Sequence, residues 1–288
     1  MSDSSEESTP FLTALVAGGF AGTSVDVALF PIDTLKTRMQ SPQGFMKAGG
    51  FSGIYNGIGA AAAGSAPGAA LFFSTYETAK PMVLKWQKSV GMEDQPAISH
   101  MIAASMGEAM ACLVRVPTEV IKAKMQTDAQ ASLGKTFSLV LNETHGSVLS
   151  SVTGGLYRGY GITLMREIPF AMIQFPLYEK AKSWWSEKKG SPVNPIQAAM
   201  CGSVTGGFAA GVTTPLDVVK TRLMLGADRD GKQYLNAIDV IRRTLNQEGP
   251  MAFSSGIQPR VMWISIGGFV FFGAYEVGKK LAGPMLGQ

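Results

Sequence analysis

A decapeptide that occurs three times places the strongest constraint on the fold of this chain. It reads PIDTLKTRMQ from Pro31, PTEVIKAKMQ from Pro117 and PLDVVKTRLM from Pro215. The copies begin 86 and 98 residues apart, so the 288 residues hold three units of about a hundred residues each. A long internal repeat sets the architecture, because every unit contributes the same supersecondary piece. We therefore predict one domain over residues 1–288, built from repeats at about 9–92, 93–189 and 190–288.

Each copy of the decapeptide carries an acid two residues after its proline and a lysine five residues after it. The i, i+3 spacing of acid and lysine places both on one face of a helix. A second triplicated motif consists of a tyrosine, an acid and a lysine in the pattern YExxK. The charged residues of the first motif are Asp33, Lys36, Glu119, Lys122, Asp217 and Lys220. The residues of the second motif are Tyr76, Glu77, Lys80, Tyr178, Glu179, Lys182, Tyr275, Glu276 and Lys279.

The composition indicates a membrane protein. The chain is 46% hydrophobic and only 16% charged, with 34 glycines, whereas an ordinary soluble domain has about 25% charged residues. Residues 8–25 and 57–76 contain no charge, and each run is long enough for a spanning helix of about 20 residues. Further candidate helices begin near Pro96, Gly159, Val193 and Val261. The prediction is an all-α membrane protein with six transmembrane helices around a pseudo-threefold central cavity and short surface helices between them.

Several other classes of protein are disfavoured. The net charge of +4 is not concentrated in a basic tract, so we expect no nucleic-acid partner. Cys112 and Cys201 lie in apolar surroundings without metal-ligand spacing, and we expect packing roles and neither a metal nor a cofactor. The first ten residues are acidic and polar, so we expect no cleavable signal and an internal targeting address. An enzyme that used a nucleoside cofactor would need a glycine-rich loop after a strand, and no such strand pattern occurs.

The two triplicated motifs resemble those of the mitochondrial carrier family, Px[DE]xx[KR] and [FY][DE]xx[KR], over essentially the whole chain after residue 10. This resemblance implies a monomeric, multi-pass protein of the mitochondrial inner membrane that works by alternating access and binds membrane lipid such as cardiolipin. It also implies three short matrix helices and two sets of ion pairs. On the matrix side it would pair Asp33 with Lys122, Glu119 with Lys220 and Asp217 with Lys36. On the cytoplasmic side it would pair Glu77 with Lys182, Glu179 with Lys279 and Glu276 with Lys80.

The chain keeps some of the family's other features and departs from the rest. Gln40 and Gln126 match the glutamine that braces a matrix ion pair, whereas Met224 stands at that position in the third repeat. The family's second motif segment ends in an aromatic residue, a base and a glycine. Only Tyr157-Arg158-Gly159 keeps that ending, while the other repeats read GGFSGIYNG and EGPMAFSSG.

The resemblance also indicates where a substrate would bind. In the family, the residue thirteen positions before the acid of the YExxK motif contacts the substrate. In this chain those residues are Gly64, Arg166 and Trp263. An arginine followed by an acid, as in Arg166-Glu167, resembles the amino-acid carriers of the family. A guanidinium suits a carboxylate, and an adjacent acid suits an ammonium group. Asp26, Glu108 and Arg115 lie on the same faces as the motif charges, and they complete the predicted substrate site.

Three segments carry a narrower resemblance: residues 17–38, 40–57 and 166–179. They are similar to those of family members that import S-adenosylmethionine in exchange for S-adenosylhomocysteine, and these two compounds are therefore the expected substrates. The residues leave alternatives open. A carrier of this fold for another cationic amino acid or a nucleotide-like solute is the first, and a membrane scaffold or proton leak is the second. A nucleotide would need several basic groups for its phosphates, which the mid-cavity positions do not supply.

Overall fold

Five long helices and the shorter α8 form the body of the molecule in a computed structural model that describes residues 11–91, 96–128, 131–142, 152–267 and Val270. The predicted all-α fold is confirmed for these residues, where the extended structure amounts to an isolated bridge between Ala227 and Gln233. The long helices are α1 (Phe11–Gln40), α2 (Ile58–Ser89), α3 (Pro96–Thr127), α5 (Tyr160–Lys189) and α6 (Pro195–Leu225), and α8 is described over 257–267. Two short helices, α4 (Leu133–Asn142) and α7 (Ala237–Glu248), follow α3 and α6.

The repeated decapeptide forms the end of α1, α3 and α6. Its prolines lie within these helices, and its charged residues therefore fall in the last turns. The start of α6 is fixed by a capping box in which the Asn194 side chain accepts a hydrogen bond from the Gln197 backbone N–H. Such a cap satisfies backbone donors that a helix start otherwise leaves unpaired.

One glycine in each repeat lies directly before α2, α5 or α8 and packs that helix against the end of α3, α6 or α1. Gly57, Gly159 and Gly256 have φ angles of 93°, 97° and 73°, which L side chains rarely adopt. A Cβ on Gly57 would lie 3.1 Å from the Lys122 carbonyl oxygen, on Gly159 3.1 Å from Met224 Cγ, and on Gly256 3.1 Å from Gln40 Cγ. Each glycine thus touches the end of a helix in the next repeat, which is α3, α6 and α1 in turn, and the three contacts close a ring.

The expected surface helices are present in the second and third repeats only. In the first repeat, residues 41–57 form consecutive turns, so the prediction of a third such helix is wrong. The physical reason lies in four glycines with positive φ, Gly44, Gly49, Gly50 and Gly53, which interrupt any helical run. Three large apolar side chains of α7 are exposed, Ile238, Ile241 and Leu245.

None of the helices in the described residues is both long and apolar enough to qualify as a membrane crossing. Cys112 and Cys201 are buried and free, as packing residues would be.

Candidate functional site

A central cavity of about 880 Å³ lies among the long helices. All seven residues predicted to bind substrate line it: Asp26, Gly64, Glu108, Arg115, Arg166, Glu167 and Trp263. The cavity has the size of a typical small-molecule site. Gly64 has a further constraint, because a Cβ there would lie 2.2 Å from Thr118 Oγ1. The missing side chain at this position therefore permits the close approach of α2 and α3.

The charged residues of the repeated decapeptide close one end of this cavity. Lys122 Nζ lies 2.7 Å from Asp33 Oδ2, Lys220 Nζ 2.6 Å from Glu119 Oε2, and Lys36 Nζ 2.9 Å from Asp217 Oδ2. These are the three pairs that the family resemblance implied. They join α3 to α1, α6 to α3 and α1 to α6, and we call this closed set the proline-motif ring.

Two glutamines support the ring, and the third position differs. Gln40 Nε2 donates to Asp217 Oδ2 at 2.9 Å, and Gln126 Nε2 donates to Asp33 Oδ2 at 3.0 Å. Met224 occupies the corresponding position of the third repeat and is buried in an apolar cluster with Val116. The Glu119–Lys220 pair therefore lacks the amide donor that the other two pairs have.

A second set of contacts links the same three helices in the opposite rotational sense. Two residues after each lysine of the ring stands an arginine or another lysine. Its side chain donates a hydrogen bond to a backbone carbonyl at the end of α3, α6 or α1 in the next repeat. Arg38 Nε contacts the Gln126 oxygen at 2.6 Å, Lys124 Nζ the Leu225 oxygen at 3.0 Å, and Arg222 Nε the Gln40 oxygen at 3.1 Å. Each pair among α1, α3 and α6 is consequently connected twice. One connection is an ion pair, and the other is a basic side chain bound to a carbonyl at a helix C-terminus.

The buried arginines of repeats one and three find different partners beyond that carbonyl. Arg222 donates to both carboxylate oxygens of Glu248 at the end of α7, with Nη2 2.8 Å from Oε2. Arg38 instead donates to the carbonyl oxygens of Gly50 and Gly53. In the first repeat, backbone carbonyls of the turns therefore surround the fully buried Arg38 guanidinium, where the third repeat uses the Glu248 carboxylate.

The mid-cavity charges are largely paired with one another. Arg166 Nη2 contacts Glu167 Oε1, and Arg115 Nη2 contacts Glu108 Oε1. Asp26 differs, because its contact is a 3.3 Å hydrogen bond from the Ser65 hydroxyl. Arg166 and Glu167 can bind an amino acid, as expected, only if the substrate takes over at least part of the contact between their side chains.

Arg260 is a cavity residue that the sequence reasoning missed. It lies on α8, one turn before Trp263, and its Nη1 is 2.8 Å from Asp217 Oδ1. Only 2% of its surface is exposed. The i, i+3 relation to Trp263 was a usable signal, since it places both side chains on one helical face.

The YExxK residues that the structure describes do not form the predicted cytoplasmic pairs. Lys182 contacts Glu179 on its own helix at 3.2 Å instead of Glu77, because an i, i+3 partner is always within reach. Lys80 and Lys182 lie over the rings of Tyr76 and Tyr178, at 6.0 and 4.8 Å. The two remaining pairs involve Tyr275, Glu276 and Lys279, which lie outside the described residues.

Comparisons with known proteins agree over almost the whole chain. The sequence profile of the family described as mitochondrial carrier protein matches residues 7–48, 43–86, 93–189 and 191–285. The chain is 46% identical to the mitochondrial S-adenosylmethionine carrier protein of Mus musculus, covering 94% of this chain and 95% of the relative. It is 47% identical to the protein of that name in Xenopus tropicalis, covering 96% and 98%. It is also 47% identical to the S-adenosylmethionine mitochondrial carrier protein homolog of Drosophila melanogaster, covering 95% and 94%. With two triplicated motifs, a closed ring of ion pairs and matches of this extent, the chain belongs to the mitochondrial carrier family.

Proposed function

We propose that this carrier imports S-adenosylmethionine into the mitochondrial matrix in exchange for S-adenosylhomocysteine. The observation that carries the proposal is one cavity lined by an arginine–acid pair, a further acid and an indole ring, Arg166, Glu167, Asp26 and Trp263. The names of the relatives point to the same solute.

The substrate has four groups that match this inventory. A guanidinium binds a carboxylate through two parallel hydrogen bonds, and Arg166 is the residue we assign to it. The ammonium and sulfonium groups are cations, for which Asp26, Glu108 and Glu167 are the available acids. The adenine is a flat ring, and stacking against an indole such as Trp263 is worth about 0.5–1.5 kcal/mol.

Alternating access between two layers of ion pairs is the mechanism we propose. The proline-motif ring would form the matrix gate, and the YExxK residues would form the cytoplasmic gate. The ring is closed while Glu179 and Lys182 contact each other within one helix, which supports a state open toward the cytoplasm. The ion pairs of the ring are largely buried, and the attraction within such a pair is offset by the cost of removing both charges from water, so a gate built from them opens at modest net cost.

The proposed location is the mitochondrial inner membrane, with six spanning helices and cardiolipin among the bound lipids. Family membership supports it. Large apolar side chains on the long helices are also exposed outside the cavity, including Phe175, Val204 and Phe208. Extended exposed apolar surface is characteristic of contact with lipid or with another protein.

The decisive experiment is exchange in liposomes. Purified protein is reconstituted into vesicles loaded with S-adenosylhomocysteine, and labelled S-adenosylmethionine is supplied outside. We expect saturable uptake that depends on the internal substrate. Uptake no greater than that of protein-free vesicles would refute the proposal.

Competition and one variant sharpen the result. Unlabelled arginine and ATP represent the alternative solutes, and we expect neither to inhibit at concentrations where S-adenosylhomocysteine does. Arg166→Ala should abolish exchange, whereas Arg229→Gln, which removes an exposed arginine outside the cavity, should not. Full activity of Arg166→Ala would remove Arg166 from the site.

A further inference from the structure

One carboxylate at the closed end of the cavity serves two groups of partners at once. Asp217 Oδ2 faces the gate, where Lys36 Nζ and Gln40 Nε2 each lie 2.9 Å away. Asp217 Oδ1 faces the cavity arginines, with Arg260 Nη1 at 2.8 Å and Arg166 Nε at 3.8 Å. The residue that completes the proline-motif ring therefore also holds the cations that border the substrate cavity.

The two arginines are incompletely satisfied in this arrangement. Arg166 Nε, Arg260 Nε and Arg260 Nη1 are buried and make no hydrogen bond of acceptable geometry within the described chain. Buried polar groups without such bonds are costly and uncommon. Arg260 Nη2 is held separately by Thr213 Oγ1 at 2.9 Å, which keeps the guanidinium in place with donors to spare.

The charge pairing leaves Arg260 without an acid of its own. The other cavity cations of the described residues each face a separate carboxylate, as in Arg166–Glu167 and Arg115–Glu108. Among the described residues, the acid that Arg260 contacts is Asp217, which also pairs with Lys36. An additional carboxylate would therefore be stabilised at this point of the cavity.

We propose that Arg260 and Arg166 together form the subsite for the substrate carboxylate, and that Asp217 Oδ1 occupies this subsite while the gate is closed. The inference rests on the proposed function and adds to it a residue and a coupling step. The substrate carboxylate gains both arginines by displacing Asp217, and a displaced Asp217 no longer has the geometry of its contacts with Lys36 and Gln40. Binding of the substrate and release of one ion pair of the ring become a single event.

The test combines a change in the protein with a change in the substrate. Wild type and Arg260→Gln are reconstituted in the exchange assay, and uptake of labelled S-adenosylmethionine is compared with that of an analogue in which hydrogen replaces the carboxylate. Loss of a charge-assisted hydrogen bond of this kind lowers exchange roughly 10- to 100-fold. We expect that loss for S-adenosylmethionine in Arg260→Gln, with uptake of the analogue unchanged within about twofold of its own slower wild-type rate.

The outcomes separate this inference from the function on which it rests. Equal losses for both substrates would assign Arg260 a structural role and overturn the inference, as would full activity of Arg260→Gln on S-adenosylmethionine. Uptake of the analogue by Arg260→Gln shows that the variant is folded, and Arg229→Gln controls for removal of an arginine elsewhere. Absence of S-adenosylmethionine uptake in wild type would refute the proposed function and the subsite with it. Arg260→Lys, which keeps the charge but not the planar fork, should be intermediate for S-adenosylmethionine only.

Discussion

Asp26 is the acid of the cavity whose charge is least compensated by direct contacts. Among the described cavity residues, the other acids each lie against a lysine or an arginine, while Asp26 accepts one hydrogen bond from Ser65. A carboxylate in that situation attracts a cation from the substrate more strongly than a paired one does.

We predict that Asp26→Asn lowers exchange of S-adenosylmethionine roughly tenfold or more, because the amide keeps the shape but loses the charge. The measurement is the dependence of initial uptake on external substrate concentration. Asp230→Asn is the matched control, since it neutralises an exposed acid outside the cavity. Wild-type kinetics in Asp26→Asn would exclude a role in binding the cation.

Asp228 shows how a single residue supports the connection between α6 and α7. Its Oδ1 accepts hydrogen bonds from the backbone N–H groups of Lys232 and Asp230, and its Oδ2 accepts one from Arg243. Burial alone would raise the pKa of this carboxyl, but these hydrogen bonds outweigh it and hold the pKa below its usual value.

The predicted consequence is a loss of stability in acid. A carboxyl whose pKa is lower in the folded state contributes stability above its unfolded value of about 3.9, and this contribution disappears as the pH falls through the folded value. Asp228→Asn should lower the thermal unfolding midpoint at pH 7 by roughly 2–5 °C. The difference from wild type should shrink when both are measured near pH 3, and a difference that stays constant would contradict the assignment. Asp230→Asn should leave the midpoint at pH 7 unchanged.

At the scale of elements, the glycine that precedes α5 acts as a spacer between repeats. Gly159 has φ of 97° and lies against Met224 of α6, whereas Gly190, at the other end of α5, has φ of 70° and open space where a Cβ would be. The left-handed conformation costs a side chain about 1–2 kcal/mol at either site. Only Gly159→Ala adds a steric conflict.

We therefore predict that Gly159→Ala lowers the unfolding midpoint in detergent more than Gly190→Ala does. The excess measures the contact between α5 and α6, because the backbone cost is common to both variants. Equal midpoints would mean that the Met224 side chain moves aside at no cost in free energy. The ring of glycine contacts would then contribute no stability.

At the scale of the whole molecule, the proline-motif ring joins residues far apart in the chain. Removing one partner of a partly buried ion pair leaves an uncompensated charge, which is more costly than the pair itself is favourable. We predict that Lys122→Asp and Asp33→Lys each lower exchange strongly, and that the double variant recovers part of the loss because the pair is restored in reverse.

The check is a double-mutant cycle on the exchange rate and the unfolding midpoint. Arg242→Asp, which introduces an acid at an exposed position on α7, is the control and should leave both unchanged. A double variant as impaired as the sum of the single changes would show that the two residues do not act as a pair.

The repeated motifs predicted the all-α architecture, and the family resemblance implied the partners within the proline-motif ring. A motif written three times identifies equivalent positions, and the family resemblance then implies which neighbours meet, as in Asp33 with Lys122. The residues of the cavity could also be placed by counting from the YExxK motif. The spacing within the YExxK motif does not say whether Lys182 contacts Glu179 on its own helix or Glu77 on α2, and it contacts Glu179 while the proline-motif ring is closed.

The sharing of charge at the closed end of the cavity became visible only in the packed helices. Asp217 contacts Lys36 through one oxygen and Arg260 through the other, and Arg260 belongs to no triplicated position. The sequence also did not indicate the turns around Arg38, where backbone carbonyls take the place that the Glu248 carboxylate has around Arg222. Repetition in a sequence reveals what the repeats have in common, whereas contacts made by one repeat alone depend on distances that only the assembled helices define.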